Sequence, residues 1–183
     1  MQECWIKQLW LEERVGEFKP LYSSWPSNFK IDNTMKVRIQ KLTDDAVIPS
    51  YSQEGDAGMD MVATKITIGE HYVQYHTGLA MEIPRGHVGL LFARSSVSKT
   101  GWSLANGVGV VDTGYRGEIC FRFVLNGDNG EPQPLGLSPV SPYKVGDRIG
   151  QLMIMPYPHV NFEQVLILDD SIRGEGGFGS TGN

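Results

Sequence analysis

Punctuation is what most constrains the fold of this chain. Val37 and Ile39 alternate with Lys36, Arg38 and Gln40, and Ile66 and Ile68 alternate with Lys65 and Thr67, the period-two pattern of half-buried strands. Further strand candidates are Val73–Ile83, Val88–Phe92, Val108–Val111, Ile119–Leu125, Arg148–Met155 and Val165–Leu168, each cut short by Gly, Pro, Asn or Asp. Twenty-two glycines and ten prolines in 183 residues supply the turns. Short strands at such intervals imply an all-β sandwich, jelly roll or barrel. The one helix the pattern predicts inside the domain is a short one near Ser96–Lys99, closed by Gly101.

The length suits one domain with tails. Residues 1–34 form a distinct extension that holds three of the four tryptophans. Within it Ile6, Leu9, Trp10 and Glu13 have the spacing of a short amphipathic helix, and Lys19–Asn33 is broken by Pro20 and Pro26. Either an ordered helix or an extension with little structure fits that composition. Asn126–Tyr143, with four prolines, reads as a long surface loop. The boundaries expected are therefore 1–34, a β-domain over 35–168 and a glycine-rich arm over 169–183.

Net charge is −5, so no basic field draws the chain to nucleic acid, and a polyanion would need a local cluster of donors. The longest apolar runs fall far short of the roughly 20 residues that span a bilayer. Glu3, Glu12, Glu13 and Glu17 are wrong for a secretory or organelle leader, so a cytoplasmic location without membrane contact is expected. Cys4 and Cys120 have no metal-ligand spacing and indicate neither a disulfide framework nor a zinc site.

Four clusters carry the chemistry. In Ala57-Gly58-Met59-Asp60-Met61 a carboxylate sits just before a strand, where a turn or cap residue is the commoner role. In Ala93-Arg94-Ser95-Ser96-Val97-Ser98-Lys99 a guanidinium and hydroxyls meet a possible helix start, which suits either an anion or a plain helix cap. The stretch Asn106–Glu118 reads as a hairpin: two apolar strands joined by Asp112-Thr113-Gly114, with Gly107 and Gly109 leaving room for close approach. The C-terminal Arg173–Gly182 contains a G-x-G-x-x-G pattern, but no helix is expected after it, so a dinucleotide fold is not expected. Its arginine, phenylalanine and hydroxyls are instead suited to closing over a base and a phosphate chain.

Taken in order, and with Arg148-Ile149-Gly150-Gln151-Leu152 as the fourth of five, these clusters resemble the motifs of the trimeric dUTPases over residues 35–183. The resemblance implies a jelly-roll-like distorted β-barrel forming a homotrimer. Its three sites would lie at subunit interfaces, and a swapped C-terminal arm would close a neighbour's site. It further implies magnesium-assisted hydrolysis of dUTP to dUMP and pyrophosphate, which removes dUTP and supplies dUMP for thymidylate synthesis. Asp112 then resembles the carboxylate that deprotonates the attacking water, Tyr115 would lie against the deoxyribose, and Asn106 and Gly109 would belong to the backbone that reads uracil. By the same resemblance Asp60 would hold a water of the Mg2+ ion, Arg94, Ser95 and Ser96 would serve the phosphates, and Gln151 would contact one. Arg173 would approach the terminal phosphate, Phe178 would stack over uracil, and Gly179, Ser180 and Thr181 would line the phosphate chain.

Departures from the family pattern leave rivals to weigh. Met59 and Met61 stand where tyrosine and a smaller aliphatic residue are frequent, and Ala93 and Ser96 where proline and glycine are usual. The Arg-Ser-Ser sequence also resembles the related dCTP deaminases, so a bifunctional deaminase-diphosphatase is one alternative. Arg122, however, occupies the strand position of the deaminase glutamate. A nucleotide-binding regulatory protein that holds a partner through the extension or loop 126–143 is the other.

Overall fold

The computed structural model describes residues 35–127, 135 and 141–177. The extension 1–34 with its expected helix, most of loop 126–143 and the arm residues Phe178, Gly179, Ser180 and Thr181 lie outside the described residues. Every element below belongs to one compact unit beginning at Val37. No helix among the described residues is long and apolar enough to cross a membrane.

Among the described residues ten strands form three antiparallel sheets. β1 (Arg38–Lys41) pairs with β5 (Leu79–Glu82). One four-stranded sheet runs β2 (Met59–Val62), β10 (Arg148–Pro156), β6 (His87–Ala93), β8 (Val108–Val111). The other runs β3 (Lys65–Ile68), β4 (Val73–His76), β9 (Cys120–Leu125), β7 (Trp102–Leu104). Met61, Leu91, Val111, Ile149 and Leu152 from the first sheet join Val73, Tyr75, Leu104, Phe121 and Phe123 from the second in one core. Tyr75, Phe123 and Tyr143 meet edge to face, with centroids 5.5–5.7 Å apart, the arrangement that ring quadrupoles favour. The all-β expectation holds.

Period two decides what faces outward. On β4 and β9 the residues Val73, Tyr75, Phe121 and Phe123 are buried, so Gln74, His76, Cys120 and Arg122 project from the opposite face. Register sets Gln74 opposite Arg122 and His76 opposite Cys120.

Four expectations are corrected. The stretch Val73–Ile83 is two strands, because Gly78 takes φ +65° and a Cβ there would collide with Thr43 and Ala46. Asn106–Glu118 is not a paired hairpin: β8 belongs to one four-stranded sheet and β9 to the other, and Asp112-Thr113-Gly114 crosses between them. The short helix is 3₁₀, spans Ser95–Lys99 and ends at Thr100, whose N–H and hydroxyl both donate to the Val97 carbonyl; Gly101 does not close it. Val165–Leu168 is not a strand, because nothing among the described residues of this chain pairs with it.

Candidate active site

Two clusters emerge at separate places on the fold. The first centres on Asp60, which lies within β2 rather than just before it. β10 carries a bulge opposite β2: Arg148 pairs with Val62 and Gly150 with Met61, so Ile149 is the extra residue. That insertion brings Arg148 and Gln151 onto the same face as Asp60, which an uninterrupted strand could not do. Gly150 can occupy this crowded bend only without a side chain, since a Cβ would lie 2.8 Å or less from the ring of Phe121.

Asp60 Oδ2 accepts hydrogen bonds from Ser52 Oγ at 2.9 Å and from Arg148 Nη1 at 2.9 Å, and Oδ1 lies 3.9 Å from Arg94 Nε. Its side chain is only 14% exposed. Burial pushes the carboxyl up, but the Ser52 and Arg148 hydrogen bonds and the charges of Arg148 and Arg94 outweigh it and hold Asp60 below the usual carboxylate range. Gln151 faces Asp60 across the ladder and rests against the backbone of Gly58. Ser95 and Ser96 are exposed at the start of the 3₁₀ helix beside Arg94.

A group whose native pKa is depressed stabilises the fold above its unfolded value, about 3.9 for Asp, and that contribution is lost as pH falls through the native value. Asp60→Asn should therefore flatten the acid limb of the stability curve below about pH 4. Denaturant midpoints measured across that range check this; an acid limb identical to the parent's would reject the pairing.

The second cluster lines a cleft of about 660 Å³ whose walls include Asn106, Gly109, Asp112 and Tyr115. Asn106 sits in the turn between β7 and β8, where Gly107 adopts φ +65°. Gly109 packs its backbone on Leu91, with a Cβ position only 2.9 Å from that side chain. Asp112 closes a turn by accepting the Tyr115 N–H at 3.1 Å, and its side chain is exposed. Arg116 ties the same turn down by donating to the carbonyls of Thr113 at 2.7 Å and Tyr115 at 2.8 Å. The Tyr115 hydroxyl donates to the Glu118 carbonyl at 3.0 Å, and the ring lies over Gly117, where no Cβ would fit. Asp112 and Tyr115 are thus held in a preset relation.

Sheet register gives the distance between the clusters. Asp60 is level with Gln151, Phe92 and Val108, whereas Asp112 follows Val111, which is level with Gly89. Three strand spacings across and four residues along put the two carboxylates on the order of 20 Å apart within one chain.

Arg173, the one arm residue of the expected site that the structure describes, is exposed in a turn and donates to Gly176 O at 2.8 Å. Reasoning from sequence missed Ser52 and Arg148 as partners of Asp60. It also missed the cleft floor, where Arg122 Nε donates to Gln74 Oε1 at 2.7 Å and Gln74 Nε2 lies 3.1 Å from His76 Nε2. Strand alternation was the available signal, but it needed the β4–β9 register to bring these residues together.

The family model for dUTPase matches residues 44–182. The chain belongs to the dUTPase family. A deoxyuridine 5'-triphosphate nucleotidohydrolase of Desulfitobacterium hafniense is 41% identical over 158 residues, covering 82% of this chain and 98% of that protein. The dUTPase of Staphylococcus bacteriophage 80alpha, solved with dUpNHpp, superposes with a TM-score of 0.65 at 28% identity, covering 82% of this dUTPase and 100% of the phage chain. A mutant dUTPase of phage phi11 of S. aureus, whose structure describes coordination of a structural Mg(II) ion, gives a TM-score of 0.57 at 25% identity over 73% of this chain and 98% of that one.

Proposed function

We propose that this dUTPase hydrolyses dUTP to dUMP and pyrophosphate at sites assembled from several copies of the chain in a homotrimer. The separation of Asp60 from Asp112 carries the reading. A nucleotide spanning a base pocket and a phosphate site needs both clusters within its own length, and one chain holds them too far apart. The cleft around Asn106, Gly109, Asp112 and Tyr115 comes from one subunit; Asp60, Arg94, Ser95, Ser96 and Gln151 come from another. Arg173, Phe178, Gly179, Ser180 and Thr181 close over the bound nucleotide as an arm.

A second observation supports assembly. Phe162, Leu166, Ile167, Leu168 and Ile172 are each at least 82% exposed. Large apolar side chains left this exposed in one segment suit an interaction site, and a segment with strand composition but no ladder partner among the described residues suits pairing with a second copy. Among the described residues the expected strand Val165–Leu168 lacks its partner in this chain, and the homotrimer would provide one.

Asp112 orients the attacking water and takes its proton as the water adds to the α-phosphorus. Tyr115, fixed over Gly117, packs against the deoxyribose and leaves no room for a 2′-hydroxyl. The β8 backbone at Asn106 and Gly109 reads the uracil edge. Arg94, the serines and Gln151 hold the phosphates, whose negative oxygens otherwise repel a nucleophile.

The Asp60 surroundings fit a hydrated Mg2+. One carboxylate between two guanidinium groups cannot cage the ion, yet Mg2+ keeps several waters and usually needs one or two carboxylates plus substrate phosphates. Asp60 would accept a hydrogen bond from one of those waters. Bound there, the ion would neutralise triphosphate oxygens.

Mixing two crippled variants tests the shared site. Asp60→Asn and Asp112→Asn proteins, unfolded together and refolded, should recover about a quarter of the parent rate of pyrophosphate release, the fraction of interface sites that draws both intact residues from different copies. No recovery would mean that both carboxylates act within one chain.

A further inference from the structure

At the floor of the cleft, His76, Glu118 and Cys120 bring together one imidazole, one carboxylate and one thiol whose ligating atoms lie within 4.8 Å of one another. His76 Nδ1 is 2.8 Å from Glu118 Oε2 and 3.6 Å from Cys120 Sγ. We propose that these three side chains form a binding site for a borderline-soft divalent cation of the Zn2+ class, with its fourth position open to the cleft.

The geometry can accommodate a small tetrahedral ion. With metal–nitrogen and metal–sulfur bonds of about 2.0–2.1 and 2.3 Å, two ligands of one tetrahedral ion stand about 3.6 Å apart. The His76–Cys120 pair has that spacing, and register makes them direct cross-strand neighbours. A nitrogen and an oxygen on the same ion stand about 3.3 Å apart. Glu118 therefore needs to retreat by only about half an ångström from its present hydrogen bond with His76. The mixed N, S and O donor set disfavours Mg2+, which takes oxygen ligands, and separates this site from the one at Asp60.

The surroundings suit a loaded site. His76 and Glu118 side chains are 17% and 28% exposed, shielded yet reachable from the cleft. Ligation through Nδ1 moves the imidazole proton to Nε2, where Thr67 Oγ1 stands 3.0 Å away and can accept a hydrogen bond from the Nε2–H, the outer-shell partner that metal-bound histidines ordinarily have. The Gln74 amide, now donating toward the same nitrogen, turns aside. Glu118 keeps its other oxygen on the Gly78 N–H at 2.8 Å. Without an ion, burial and the neighbouring Glu118 push the Cys120 thiol up to about 12, so the cation must displace that proton to bind. Because the Glu118 carbonyl anchors the Tyr115 hydroxyl, an ion here would pin β4 to the Asp112 turn.

Cobalt(II) is the probe. The full chain, stripped with chelator and free of nucleotide, is titrated with Co2+ and followed by absorption and by ion-to-protein stoichiometry. One ion per chain should bring the strong visible bands of a tetrahedral site and a sulfur-to-cobalt charge-transfer band. Both should vanish in Cys120→Ser, which leaves Cys4 in place, while Thr67→Val should weaken uptake about 10–100-fold. If Cys120→Ser does not fold by circular dichroism, His76→Gln serves in its place with the same expectation. Failure to take up Co2+, binding without the sulfur band, or a sulfur band that survives these substitutions would overturn the proposal. None of these readouts depends on dUTP hydrolysis.

Discussion

Asp112→Asn should slow pyrophosphate release from dUTP by at least about 10²–10⁴-fold, the usual contribution of a positioned general base. Asparagine is close in size, so the turn should survive the change. That turn is held by backbone and neighbour contacts: the Asp112 carbonyl to Tyr115 N–H, Arg116 to two carbonyls, and Tyr115 to Glu118. None of them uses the Asp112 side chain, and thermal stability should stay near the parent's. Substrate binding should weaken far less than turnover, because the carboxylate's proton-accepting role arises only as the water attacks. Single-turnover rates with saturating dUTP, alongside nucleotide affinity measured separately, distinguish the two. Near-normal turnover would remove Asp112 from the base role, and equal losses in binding and turnover would recast it as a substrate anchor.

Much of the strand inventory was legible, and the reason is local. β6, β8, β9 and β10 fall within a residue or so of the expected stretches because each strand's alternation is visible within its own few residues. What escaped depends on partners distant in sequence. The bulge at Ile149 exists only relative to β2, and without it Arg148 would not be placed with Asp60 and Gln151. Asp112 looked like the tip of a hairpin because the residues on either side are both apolar and strand-forming; only the pairing of β8 with β6 and of β9 with β4 assigns them to different sheets. His76 and Cys120 lack any recognisable metal-ligand spacing, and it takes the β4–β9 register to make them neighbours.

The same logic explains the failed strand. Val165–Leu168 has strand composition, but composition reports a preference to be paired, not the identity of the partner. A segment that pairs with a second copy looks the same in sequence as one that pairs at home. The candidate site was legible in a different way: each motif alone was ambiguous, and order along the chain made them informative. Order says nothing about where each residue sits in the fold, and the register of β2, β10, β6 and β8 supplies the separation of Asp60 from Asp112.

Deleting residues 173–183 should cut dUTP hydrolysis about 100-fold or more while leaving the trimer and the fold intact. The cut falls beyond Phe162–Ile172, the exposed apolar segment proposed to serve assembly, so the truncated chain keeps that segment. Among the described residues the core cluster includes none of 173–177: Arg173 donates to Gly176 O within its own turn, and Gly174, at φ +51°, needs the freedom glycine gives. What the deletion removes is closure. Without Arg173 and the aromatic and hydroxyl residues that follow, bound triphosphate would remain open to water and loosely placed, and small displacements of reacting atoms are costly in rate. Sedimentation gives the oligomeric state and pyrophosphate release gives the rate. Full activity in an intact trimer would refute the closing role, and loss of the trimer would transfer the arm's importance from closure to assembly.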